Sequence, residues 1–278
     1  MTKEQRRENE IEIDWKEHQV HTMHAEEEEE DKSFVFDLFA TPDKKYEIME
    51  LNFSNMPTFH LRGQLECSNS TGLGMWKGAD VMCDFLTSRK GTSSNATRTT
   101  TTLNTRAPWC GVARKRVLEL GAGVGLCSLV ALYLGATKVC CTDGDSNVLE
   151  NLRYNISQNV DPQQHSKEKK SGSSQQLTEK ISVHQLIWGH HLDEFMEAHG
   201  PFDVIIATDC VYITASLRPL WQTVHSLLDK NGVFVFANEC ASQASLEEIL
   251  GVAREFDFYW DQAGQDEKVH LFSKTKKM

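Results

Sequence analysis

The stretch VLELGAGVGLCSLV, residues 117–130, decides how the rest of this chain is read. An apolar run breaks into glycines at 121, 123 and 125, then resumes with helical character. Glycines so placed mark a backbone that turns sharply or lets another group come very close. RVLELG (116–121) reads as a buried strand, and VGLCSLVALYLG (124–135) as a helix closed by Gly135.

Downstream, strand and helix signals alternate. KVCCTD (138–143) is a strand, and SNVLENLRYNISQN (146–159) a helix capped by Ser146. After a polar insertion at 161–180 come the strands ISVHQLIW (181–188) and FDVIIATD (202–209). LRPLWQTVHSLLDKNG (217–232) predicts a helix ending at a glycine C-cap. VFVFANE (233–239), the helix SLEEILGVAREF (245–256) and the strand KVHLFSK (268–274) complete the series. Upstream, KSFVFDLF (32–39) and KYEIMELNF (45–53) read as short strands around the turn signal Thr41-Pro42-Asp43. TGLGMWKGADVMCDFL (71–86) passes from a glycine-rich turn into an amphipathic helix. The alternation predicts an α/β fold with a doubly wound, mostly parallel sheet. Two strands near the end with no helix between them predict an antiparallel edge hairpin at the C-terminus. No internal repeat is visible.

Composition narrows the function. Asp and Glu number 40 against 29 Lys and Arg, a formal charge of −11, which argues against a broad basic surface for nucleic acid. Six consecutive acids, Glu26 to Asp31, fall in a charged, apolar-poor segment, so residues 1–32 are expected to be a disordered acidic tail. Residues 33–278 are expected to form a single domain, with insertions at 91–114 and 161–180. The low-complexity loop GTSSNATRTTTTLNT (91–105) is expected to lie outside the chemistry. The first residues lack the apolar core of a secretory signal, and no run of about 18 apolar residues predicts a membrane span. Eight cysteines without zinc spacing point to a reducing compartment, and 11 histidines show no ligand spacing. A cytoplasmic protein is expected, with the nucleus also open to it; a monomer and no metal are expected.

The glycine loop raises the question of its ligand. A dinucleotide fingerprint would read G-x-G-x-x-G, whereas this loop reads G-A-G-V-G with Leu126 in the last glycine's place. Glu119 stands two residues before the first glycine, and Asp143 ends the next strand, where a carboxylate can accept bonds from ribose hydroxyls. A purely structural turn is the competing reading. Loop and carboxylates together point to a nucleoside-containing ligand.

ELGAGVG followed by TDGD resembles the class I, seven-β-strand S-adenosylmethionine-dependent methyltransferases, with their Rossmann-like sheet. Within that class, GLGMWKGADVMCDFL, LIWG (186–189), the D-x-x-Y of DVIIATDCVY (203–212) and VHLF (269–272) resemble methyltransferase family 16. That family consists mainly of protein-lysine methyltransferases, so the resemblance implies S-adenosyl-L-methionine as cofactor and a lysine-containing protein as substrate. It implies that Gly121, Ala122 and Gly123 line the methionine part and that Asp143 holds the ribose, with Glu119 in front of the loop. Trp76 and Trp188 would flank the cofactor, with Thr208 at the end of a strand. Asp209 would orient the acceptor amine and Tyr212 would supply an aromatic wall. Each assignment has a plainer alternative. Trp76, Trp188 and Tyr212 could pack as ordinary core aromatics, and Asp209 could cap the next helix. A small-molecule or protein-histidine methyltransferase, or a non-catalytic interaction module on the same fold, are the competing functions.

Overall fold

The computed structural model describes residues 46–64, 71–88, 109, 111–160, 173–211, 213–239, 244–262 and 268–275. The expected acidic tail at 1–32, the strand at 32–39, the loop at 91–105 and Tyr212 lie outside the described residues.

A hairpin of β1 (Glu47–Leu51) and β2 (Phe59–Gly63) comes first. The sheet then takes β3 (Arg116–Leu120), β4 (Lys138–Asp143), β5 (Ile181–Gln185), β6 (Phe202–Thr208) and β7 (Leu228–Ala237). It ends with β8 (Tyr259–Gln262) and β9 (Val269–Ser273). The order across this 7-stranded sheet is β5-β4-β3-β6-β7-β9-β8. β3 to β7 pair in parallel, and β9 pairs antiparallel with both β7 and β8. The doubly wound sheet with its antiparallel edge hairpin is the architecture that the alternation predicts. The winding reverses between β3 and β6, and such a switch point opens a crevice beyond the strands' carboxyl ends.

Strand periodicity of two sorts the core onto two faces. Val117, Val139, Cys141, Val204, Ile206 and Val235 meet α1 (Lys77–Ser88), α2 (Leu126–Tyr133) and α3 (Ser146–Val160). Leu118, Leu120, Ile205, Phe234, Phe236 and Phe272 meet α5 (Leu192–His199), α6 (Leu217–Leu227) and α7 (Leu246–Glu255). Trp221 of α6 anchors the second face, its ring centroid 5.3 Å from Phe234, 5.1 Å from Phe258 and 4.7 Å from Phe272.

Several local expectations are corrected. α6 stops at Leu227, because Leu228 is already extended and starts β7. Gly232 therefore lies in a strand, where a Cβ would stand 3.0 Å from Asp203 O and 2.7 Å from Leu228 Cδ1. It serves a close approach at a register shift, not a helix cap. α3 is capped by Asp145, whose Oδ1 accepts from Asn147 N–H at 2.8 Å, and Ser146 is its first helical residue. The end of the polar insertion folds into a short α4 (Ser173–Thr178), with Leu177 packed on the core.

β2, like β8, is passed over by the sequence reading. Its partner, besides β1, is a column of asparagines four residues apart on α3. Asn159 and Asn155 mimic a strand: each Oδ1 accepts a backbone N–H of β2, from His60 and Arg62, at 2.8 Å. Each amide returns a bond to the carbonyl of the same residue, at 2.9 Å. Asn151 brackets Arg62, accepting from its Nε at 2.7 Å and donating to its carbonyl at 2.8 Å.

Candidate active site

β3 delivers the chain to Gly121 with φ +65°, and Gly123 follows with φ +53°, a region that side chains rarely adopt. Space is as restrictive as conformation. A Cβ at Gly121 would lie 3.1 Å from Cβ of Cys210, and one at Gly123 would lie 3.2 Å from Gly72 O. The loop is pinned from β4: Thr142 O accepts from Ala122 N–H at 2.8 Å, and Asp143 Oδ2 accepts from Gly123 N–H at 3.2 Å. Asp143 Oδ1 accepts from Asp145 N–H at 3.0 Å. Burial raises the Asp143 carboxyl above its ordinary value, against the pull of these backbone donors.

Glu119 points to the α1–α3 face of β3 and is 2 % exposed. Its carboxylate accepts a bond from Ser128 Oγ of α2. Burial outweighs that bond and pushes the acid up to about 7.

These groups bound a cavity of about 380 Å³ at the carboxyl ends of β3, β4 and β6. That volume is typical of small-molecule sites, roughly 300–1,000 Å³. Trp76, Glu119, Gly121, Ala122, Gly123, Asp143, Trp188 and Thr208 all line it, so the structure brings together every residue proposed for cofactor contact. Trp76 is half-buried ahead of α1, its Nε1 donating to Thr71 O at 2.8 Å. Trp188 lies on the loop after β5, close enough that a Cβ at Gly121 would sit 3.7 Å from its Cζ2. Gly189, at φ +80°, turns the chain after it, and its N–H donates to Thr223 Oγ1 of α6 at 2.9 Å.

Asp209 is not among the lining residues. Its backbone takes φ +44°, a conformation Asp tolerates better than most residues, and this turns the side chain back into the protein. Oδ2 accepts from Gly78 N–H in the first turn of α1, and Oδ1 from Glu239 N–H after β7, both at 2.6 Å. The side chain is 1 % exposed. A Cβ on Gly78 would lie 2.6 Å from Oδ2, so the glycine in KGAD exists for this contact. In this position Asp209 ties α1 to the segment after β7. The helix it caps is α1, not the next one along the chain.

The lining also includes residues to which the sequence reading gives no role: Thr71, Gly72, Met75, Cys127, Asp145, Val148, Cys210, Ser216 and Pro219. The glycine-rich turn at 71–74 forms a wall of its own, with a 3-10 turn at Thr71–Leu73. Cys210 and Ser216 flank the expected D-x-x-Y tyrosine in sequence, the one signal that could have found them.

Comparison with known proteins points to one family. The profile of the lysine methyltransferase family matches residues 56–249. The chain is 32% identical to Protein N-lysine methyltransferase METTL21A of Danio rerio, over 73% of this chain and 76% of that one. It is 34% identical to Protein N-terminal and lysine N-methyltransferase EFM7 of Kluyveromyces lactis, over 44% of this chain and 47% of that one. Against several such relatives the chain spans between about half and two thirds of their length. The SAM-dependent methyltransferase of Agrobacterium tumefaciens shares the fold at TM-score 0.51 and 14% identity, over 84% of this chain and 72% of that one.

Proposed function

We infer that this chain, which belongs to the lysine methyltransferase family, moves a methyl group from S-adenosyl-L-methionine to the side-chain amine of a lysine in a protein substrate. One observation carries the reading. A single cavity gathers the glycine loop, three carboxyl groups and two indoles at the switch point of the sheet.

The residues fit that cofactor by chemistry. Gly121 and Gly123 leave a cradle that side chains would fill, suited to close backbone approach. Asp143, at the end of β4, has acceptor capacity for ribose hydroxyls beyond the N–H groups it already holds. The Glu119 carboxyl and the faces of Trp76 and Trp188 suit a ligand that carries positive charge. Bound S-adenosyl-L-methionine supplies a methyl group activated by its sulfonium. The protein's part in an in-line displacement is alignment. The acceptor lysine must arrive as the neutral amine, and the proton it sheds leaves to water. Asp209 lies outside the cavity lining, and its oxygens hold backbone N–H groups of α1 and of the segment after β7.

A reducing compartment such as the cytoplasm suits the five free, buried cysteines among the described residues. The net charge of −11 favours a basic protein segment over a nucleic acid as partner.

Incubating the protein with methyl-labelled cofactor and a lysate, then mapping the label by mass spectrometry, tests the function. Label on a protein lysine is expected. Label on histidine or on a small molecule would overturn the acceptor, and cofactor binding without transfer would leave an interaction module.

A further inference from the structure

The β1–β2 hairpin stands outside the seven-stranded sheet, yet its bonds lead to two walls of the cavity. At its end, Gln64 N–H donates to Leu73 O at 2.8 Å, which ties β2 to the 3-10 turn of the 71–76 wall. Gly63 allows this approach, since a Cβ there would lie 3.1 Å from Leu73 O and 3.6 Å from Val124 Cγ1. The second route runs through α3. Asn155 is fully buried and completes its strand-like pair with Arg62. Its second amide hydrogen then donates to Val124 O at 3.0 Å, inside the glycine loop.

Asn159 makes the contrast. It holds β2 by the same pair of bonds, to His60, but its remaining donor goes to Asn155 O at 2.7 Å within its own helix. The two asparagines serve the hairpin alike, and of the two only Asn155 also serves the loop. A buried carbonyl such as that of Val124 requires a donor, and an amide that spans two elements fixes their separation as well as satisfying both.

We propose that Asn155 is a positioning residue for cofactor binding, holding the glycine loop in register with the docked hairpin through Val124. The inference rests on the cofactor reading above. Its consequence is that the hairpin's hydrogen-bonded link to the glycine loop runs through one side chain, and that loosening Asn155 disturbs the loop while loosening Asn159 does not.

The test compares Asn155→Leu with Asn159→Leu, two replacements of similar size that delete equivalent pairs of hairpin bonds, to Arg62 and His60 respectively. Both variants should melt earlier than the wild type. Two further readouts separate them. Amide exchange at Gly123 and Gly125, measured without ligand, should accelerate in Asn155→Leu and stay unchanged in Asn159→Leu. Affinity for S-adenosylhomocysteine by calorimetry should fall about 10-fold in Asn155→Leu, as for one lost buried bond, and less than about 2-fold in Asn159→Leu. Should the leucine variant fail to fold, Asn155→Ala is measured in the same two ways. Equal losses in the two positions, or unchanged exchange and affinity at 155, would overturn the inference. A wild-type protein that does not bind S-adenosylhomocysteine would instead overturn the cofactor reading, and the exchange difference alone would then decide whether Asn155 holds the loop.

Discussion

The carboxyl ends of β4 and β6 each carry an aspartate, and each accepts backbone N–H groups. Asp143 lines the cavity, accepts at 3.2 and 3.0 Å, and pins the glycine loop. Asp209 accepts at 2.6 Å twice, turns away through a left-handed backbone, and ties α1 to the segment after β7. Position in the fold is the same, and use is opposite. The difference teaches that a strand-end carboxylate takes its role from its dihedral angles and its donors, which the strand itself does not determine.

The comparison breaks most visibly at Asp209. Asp209→Ala strands two buried N–H groups and removes the negative charge from the N-terminus of α1. With hydrogen bonds to charged groups contributing ~1.5–3 kcal/mol each, the expected loss is about 3–5 kcal/mol of stability, read by denaturant unfolding. A variant that keeps its stability but loses turnover would return Asp209 to the chemistry. Asp143→Ala is the opposite case. It should weaken S-adenosylhomocysteine binding by about 1.5–3 kcal/mol in calorimetry, with a smaller change in unfolding free energy. A collapse of stability with ligand affinity intact would make Asp143 a second clamp.

The smallest expected effect sharpens the picture at Glu119, where burial raises the acid from 4.5 to about 7. Between those values the folded chain holds a proton that the unfolded chain has released, so stability falls as pH rises through that window. Glu119→Gln removes this slope. Without ligand, its melting temperature should match the wild type near pH 4 and exceed it near pH 8. A difference that does not depend on pH would mean that Glu119 is not held protonated in the folded state.

Much of this was legible in the sequence for identifiable reasons. Buried parallel strands such as VLEL and VIIA read as continuous apolar runs, and the glycines of GAGVG announce a backbone that side chains cannot follow. Glu119 and Asp143 were legible from strand ends beside those signals, the two tryptophans only through the family resemblance, and the cavity collects all of them. Asp209 was legible as a strand-end acid but not in its orientation, which depends on Gly78, 131 positions away. β2 has the right alternation, with Phe59, Leu61 and Gly63 buried, but five residues ending in glycine give a weak signal. What marks it is Asn151, Asn155 and Asn159, whose four-residue spacing places three amides on one buried helix face. Polar residues on such a face require partners, and that demand was there to be read. β8 escaped because its four residues gain strand character only by pairing with β9.

The central claim is that the glycine-loop cavity is the S-adenosyl-L-methionine site. Calorimetry with S-adenosylhomocysteine, run on the wild type and on Gly123→Arg, addresses it most directly. An arginine there would need a left-handed backbone and would occupy the space beside Gly72. The account predicts one ligand bound per wild-type chain, and no measurable binding to a Gly123→Arg variant that still unfolds cooperatively. Equal affinity in the two folded proteins, or none in the wild type, would contradict it.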